Sequence, residues 1–212
     1  MGCFHSQSCT LIKELAILLC RYHKHLSTGE IKSLEIEQYI PLLESILGQW
    51  RDTIGDQYEP YKNHLYRVLN FCFALHQCQA DDREKLIITA CFHDLGIWPD
   101  GNVDYLSPSV TLAKQYLADN NKQDWFAEIE LMIDLHHKCT ATDTAYPLVE
   151  VFRKADWIDV SMGIRRFGLR RKEVKAILKT FPNLGFHNNL TRLTMKQIRQ
   201  HPFQNPLPMM KW

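Results

Sequence analysis

The sequence predicts an all-α chain, a single helical domain with an N-terminal helical extension, and three observations predict it. Apolar residues recur at spacings of three and four along most of the chain. No stretch alternates strictly between apolar and polar residues, as a half-buried strand would. Helix start and stop residues, such as Asp81-Asp82, Ser107-Pro108 and Gly96, stand at the ends of the periodic stretches. At 212 residues the chain is long enough to bury the core of one medium domain.

From residue 8 to residue 26 the apolar residues are dense and helically spaced, which predicts the first helix. "SLEIEQYIPLLESILGQWRDTI" continues the pattern around Pro41, which begins a new helix or kinks this one. Between residues 59 and 78, Tyr61, Leu65, Val68, Cys72 and Leu75 form one stripe of an amphipathic helix. Asp81 and Asp82 open the next, which runs through "REKLIITACFHD" and stops near Gly96. The turn-rich "GIWPDGNVDYL" is a loop, and Ser107 with Pro108 reads as an N-cap followed by proline at the first helical position. Further helices are predicted over 124–138, 148–162, 170–180 and 190–199, and the prolines of "HPFQNPLPMMKW" make the tail extended. The expected organisation is an extension over 1–55, a main domain over 56–185, and a C-terminal helix with tail over 186–212.

The balance of 25 Lys+Arg against 24 Asp+Glu gives a net charge of +1 and no global attraction to nucleic acid or membrane. Seven cysteines without a CxxC pair suit reduced thiols in a cytoplasm better than a disulfide framework or a thiolate zinc site. The apolar run "LIKELAILLC" contains Lys13 and Glu14 and is too short to span a bilayer. The opening MGCFHS fits the loose myristoylation pattern at Gly2, with Cys3 placed for a second chain. So short a pattern arises by chance, and no lipid anchor is expected.

Chemistry concentrates around "ACFHDLGIW", where His93 and Asp94 end an apolar run and Gly96 follows at once. His64 lies at the edge of the stripe containing Tyr61 and Val68. His136 follows Trp125, Ile129 and Met132 along one helix face, and Asp156 lies on the face marked by Val149 and Phe152. Each residue alone has an ordinary explanation as a satisfied core histidine, a cap or an ion-pair partner. Together they are inward-facing polar groups that one divalent cation would satisfy at once. Imidazole and carboxylate suit a hard or borderline cation rather than a thiolate-loving one.

The order of these residues resembles the HD-domain superfamily of metal-dependent phosphohydrolases. "NHLYRV" is similar to the family's first motif, "ACFHDLG" to its His-Asp doublet and "KADWIDV" to its last. The resemblance covers about residues 61–163. It implies an HD-type helical domain in which His64, His93, Asp94 and Asp156 bind one divalent ion (Mn, Co, Ni, Mg, Zn or Fe). In some members extra histidines between the doublet and the last aspartate hold a second metal or touch substrate, and His136 and His137 occupy that interval. A mononuclear site with His136 as a substrate or outer-shell residue is the expectation, with a second metal through His136 and His137 as the variant. His5, His23, His25, His76, His187 and His201 match no motif and read as surface or packing residues.

A divalent ion that keeps water lowers the pKa of that water and polarises a phosphoryl oxygen, which is the chemistry of phosphate ester hydrolysis. The expected roles give Asp94 a ligand and water-orienting function. Arg67 and Lys154 neutralise phosphate charge, and His136 and His137 contact substrate. The substrate expected is a small anion, a nucleotide or related phosphomonoester; no nucleic-acid partner is expected, and a homodimer is compatible with the reading. The basic "GIRRFGLRRKEVKAILK" lacks the interleaved aromatics of a single-strand platform. Two rivals stand beside hydrolysis: a hydratase, lyase or oxygenase acting on a small non-phosphate substrate, and a non-catalytic module with a structural metal.

Overall fold

The computed structural model describes residues 35–100 and 105–200. The chain divides into two units between Glu35 and Ile36, and the elements below all belong to the second. The helix expected over 8–26, the MGCFHS pattern, His5, His23, His25 and the tail with His201 lie outside the described residues.

The described chain is all-helical, without a strand. Its eight helices of two turns or more are α1 (Pro41–Gly48), α2 (Tyr58–Leu75), α3 (Ala80–Phe92), α4 (Leu106–Asp119), α5 (Phe126–Leu135), α6 (Pro147–Val160), α7 (Arg171–Thr180) and α8 (Phe186–Gln200). Single helical turns at Arg51–Ile54 and Ile97–Asp100 fill two connections. α2 is the central element and packs against α6, α3, α7 and α8, while α5 sits between α4 and α6. The stripe anticipated for α2 is its buried face: Tyr61, Leu65, Val68 and Cys72 are fully buried. Each such side chain contributes on the order of 1.5–3 kcal/mol of burial free energy.

The sequence explains most helix boundaries. Pro41 does begin a helix, at a position where the missing N–H is no loss. α3 opens with a capping box in which the Gln79 N–H donates to Asp82 Oδ2 at 3.0 Å, so Asp82 acts from inside the first turn. α4 starts at Leu106, so Ser107 and Pro108 lie within its first turn rather than at the cap. Proline is tolerated there because first-turn N–H groups have no intrahelical partner. α8 begins one turn before the expected 190, at Phe186, whose ring is buried.

Residues 36–55 share the core of the main domain. α1 buries Leu43, Ile46 and Leu47, and the segment before it is tied to α2. The Glu37 N–H donates to Asn70 Oδ1 (2.8 Å) and the Ile40 N–H to the Tyr66 hydroxyl (3.1 Å). The four described cysteines, Cys72, Cys78, Cys91 and Cys139, are free. Among the described residues, no helix is long and apolar enough to cross a membrane.

Candidate metal centre

His64 projects from the middle of α2, and its orientation is fixed by a residue to which the sequence motifs give no role. Its Nδ1–H donates to Asp159 Oδ2 at 2.7 Å. Asp159 is itself clamped by Arg67, whose Nε reaches Oδ1 at 2.5 Å and whose Nη2 reaches Oδ2 at 2.8 Å. Arg67 Nη1 donates to the carbonyls of Phe181 and Pro182 at 3.1 and 3.3 Å. The Phe186 ring stacks on the His64 imidazole at 4.4 Å between centroids. With Nδ1 spent as a donor, the neutral His64 ring presents only the Nε2 lone pair to the centre.

His93 and His136 reach the same state by local means. His93 follows the last residue of α3, and its Nδ1–H donates to the Ala90 carbonyl at 2.7 Å. His136 follows the last residue of α5, and its Nδ1–H donates to the Ile133 carbonyl at 2.6 Å. Gly96 is required by the close passage of the chain after the doublet. A Cβ there would lie 2.5 Å from the Tyr105 carbonyl oxygen and 2.9 Å from the Ser109 nitrogen. The Gly96 N–H donates to Ser109 Oγ at 3.0 Å, which locks the doublet against the start of α4.

The lone pairs and two carboxylates converge. His64 Nε2 is 3.1 Å from His93 Nε2, 3.7 Å from Asp94 Oδ2 and 3.8 Å from Asp156 Oδ1. His93 Nε2 is 3.4 Å from Asp94 Oδ2 and 3.9 Å from Asp156 Oδ1, and His136 Nε2 is 3.5 Å from Asp94 Oδ1. All five side chains are buried. Asp94 Oδ1, His136 Nε2 and both Asp156 oxygens have no hydrogen-bond partner. In their neutral tautomers the three rings turn Nε2 lone pairs toward one another and toward the carboxylate oxygens. Unsatisfied buried acceptors of this kind are costly, and a shared cation removes the cost.

The spacing suits a cation. Two donors each about 2.1 Å from one ion stand about 3.0 Å apart at a right angle, about 3.4 Å at the tetrahedral angle and about 4.2 Å when opposed. Every separation above falls within that span. His64, His93 and Asp94 form one grouping able to hold an ion, and Asp94, His136 and His137 form a second. Asp94 belongs to both through different oxygens. The residues present therefore fit a divalent cation held by His64, His93 and Asp94, with Asp156 Oδ1 3.8 and 3.9 Å from the two imidazole Nε2 atoms, and Asp94, His136 and His137 provide donors for a second.

The electrostatics of the cation-free cluster are strained in the same sense. Burial drives His93 down to about 3, against the pull of Asp94. Burial also pushes Asp156 up to about 7, although His136 and His64 oppose it. Asp94 remains well below the usual carboxylate range because the histidines around it outweigh its burial. Burial lowers His136, but Asp94 and Asp156 more than compensate and the net shift is upward. Burial pushes Asp159 up, but hydrogen bonds from His64 and Arg67 outweigh it and hold its carboxyl well below the usual range, so it stays ionised.

The remaining sequence candidates are placed as follows. His137 stands at the edge of the cluster with its side chain 15% exposed, Nδ1 3.7 Å from Asp156 Oδ2 and Nε2 2.6 Å from the Tyr105 hydroxyl. Arg67 is buried on the far side of His64, facing Asp159. Lys154 lies on the outer face of α6 with its Nζ 3.5 Å from Glu150. Asp159 stands inside the last motif, which gives it no role, and Tyr105 and Phe186 are site residues outside every motif. His187, read as ordinary, has Nε2 3.9 Å from Asp159 Oδ2 without a hydrogen-bond partner on that nitrogen, while its Nδ1 meets the Asn183 side-chain amide.

A scan of the chain against protein-family models gives no match, and searches of curated proteins and of solved structures give none either.

Proposed function

We propose that the protein is a metal-dependent phosphohydrolase of the HD type acting on a small phosphate ester. The single observation that carries the metal is the set of buried, partnerless acceptor atoms of Asp94, Asp156 and His136. The phosphoester chemistry rests on the resemblance of the ordered motifs. A divalent cation in such a site supplies Lewis acidity, making a water nucleophilic near neutral pH and polarising a phosphoryl oxygen.

The chain's own residues do the rest. Asp159 and the Ala90 carbonyl hold His64 and His93 in the tautomer that leaves Nε2 free, so the ligands are set before substrate arrives. Asp94 offers one oxygen to the His64 and His93 side and the other to His136, which suits it to ligate the cation and to orient the attacking water. His137 is the most exposed histidine of the cluster and, backed by Tyr105, is placed to meet the substrate. Arg67 and Lys154 are engaged elsewhere, so His136 and His137 carry substrate contact in this reading.

The test is phosphate release from a panel of nucleotides and sugar phosphates by metal-stripped protein, with Mn, Co, Ni, Mg, Zn or Fe restored singly, beside Asp94→Ala. Metal-dependent turnover that disappears in the variant supports the assignment. Stoichiometric metal without phosphate release points to a structural site. Nitrile hydration or iron-dependent oxygen uptake would move the chemistry to the rival classes. Metal bound per chain decides between one ion and two.

A further inference from the structure

Beyond α6 the chain turns through residues 161–170 into α7, and a cavity of about 310 Å³ opens between that turn and the helix. Val174 and Leu178 form its apolar wall. Met162 and Ile164 stand at its mouth, 63% and 82% exposed. Arg166, Arg171 and Lys175 line it, and no acidic side chain does. Their neighbours are occupied: Arg170 is closed on Glu173, and Arg165 lies over the Trp157 ring at 4.5 Å. The three lining cations have no such partner among the described residues.

The turn is built at some cost. Met162 and Gly163 both adopt positive φ, 51° and 76°. They are held there by the Met162 N–H on the Asp159 carbonyl and the Gly163 N–H on the Ile158 carbonyl, each at 2.8 Å. A side chain at 163 would put its Cβ 2.6 Å from Val174 Cγ1, so only glycine lets the turn press against α7. The left-handed conformation at Met162 is one that residues with a side chain rarely adopt. Its consequence is an apolar side chain held at the rim of a cationic hollow.

We propose that this cavity is a second ligand site, for a small phosphorylated molecule carrying an apolar ring. Arg166, Arg171 and Lys175 would meet the phosphoryl oxygens, arginine by its forked donors, and Leu178, Met162 and Ile164 would take the ring. The volume lies at the lower end of the roughly 300–1,000 Å³ typical of ligand pockets, which limits the occupant to about the size of a mononucleotide. A concave hollow favours a small molecule over a membrane, which needs its apolar residues on an outward surface. The absence of aromatic rings from the lining argues against a nucleic-acid strand. None of the lining residues belongs to the metal cluster, so this site stands apart from the reaction proposed above.

The probe is phenylphosphonate, which carries a ring and a dianion but no ester bond to hydrolyse. It is titrated into the full chain by calorimetry, with Arg171→Ala/Lys175→Ala as the pocket variant and Asp94→Asn as the metal-centre variant. The expected result is saturable binding that the pocket variant weakens about tenfold or more and Asp94→Asn leaves in place. Inorganic phosphate should bind less tightly than phenylphosphonate. Three results would overturn the assignment: no saturation up to about 10 mM, binding lost in Asp94→Asn but indifferent to the pocket variant, or capture by phosphatidylserine vesicles without saturable phenylphosphonate binding. Circular dichroism of the pocket variant guards against misfolding, because both replaced side chains are exposed.

Discussion

Replacing Asp156 by asparagine should make the metal-stripped protein more stable while abolishing its capacity to hold a cation. The buried Asp156 carboxyl has two partnerless oxygens and is pushed up to about 7 from an ordinary 3.8. A raised carboxyl is one that the folded state prefers protonated. Its contribution to stability is full below the unfolded value and is lost as pH rises through the folded one. The gap between 3.8 and about 7, at about 1.4 kcal/mol per pH unit, amounts to about 4 kcal/mol lost by about pH 8. At about pH 5 the folded protein still carries the proton, and the loss is nearer about 2 kcal/mol. Asparagine has the same shape, no charge, and an NH2 that can donate to an Nε2 lone pair. Urea unfolding of both proteins in chelator should therefore show the advantage of Asp156→Asn growing by about 3 kcal/mol between about pH 5 and about pH 8. Saturating divalent cation should reverse the order, because it stabilises only the parent. If the stripped variant is less stable than the parent at both pH values, Asp156 is satisfied without a cation and the metal reading loses its support.

Three other outcomes are expected. Asp159→Ala strands the buried Arg67 and frees His64, costing about 3–5 kcal/mol in denaturant unfolding; Arg67→Lys, which cannot make the forked contact, should recover only a fraction of the pair's worth. Glu150 is held down to about 2 because Arg153 and Thr142 outweigh its burial, so its stabilisation of the loop after His137 is complete above the ordinary 4.5 and is lost as pH falls through about 2. Glu150→Gln should flatten that acid limb, as read by amide exchange around Thr142. Gly163→Ala should cost about 2 kcal/mol or more, both from positive φ and from contact with Val174, and Val174→Ala should recover the contact portion alone.

The fold class was readable because helical spacing is a strong signal: the stripe Tyr61, Leu65, Val68 and Cys72 is the face α2 buries. The central cluster was readable for a different reason. His64, His93, Asp94 and Asp156 are polar residues on apolar faces, and that contradiction survives in a bare sequence. What escaped was the layer behind them. Arg67 sits one turn after His64 and so looked available for phosphate, but in the fold a carboxylate on α6 holds it. A signal for that carboxylate did exist. Val149, Phe152 and Asp156 define the inward face of α6, and Asp159, three residues further, continues it. A second acid on a buried stripe demands a partner as firmly as the first. Followed through, that demand assigns Arg67 to Asp159, since both lie on buried faces and their charges are opposite. It then leaves His64 oriented for a ligand role, with no Lys or Arg ion pair to Asp94 or Asp156 among the described residues. The pairing of Arg67 with Asp159 is thus part of the case for a metal, because it commits one buried guanidinium elsewhere, as the pairing with Glu150 commits the other, Arg153.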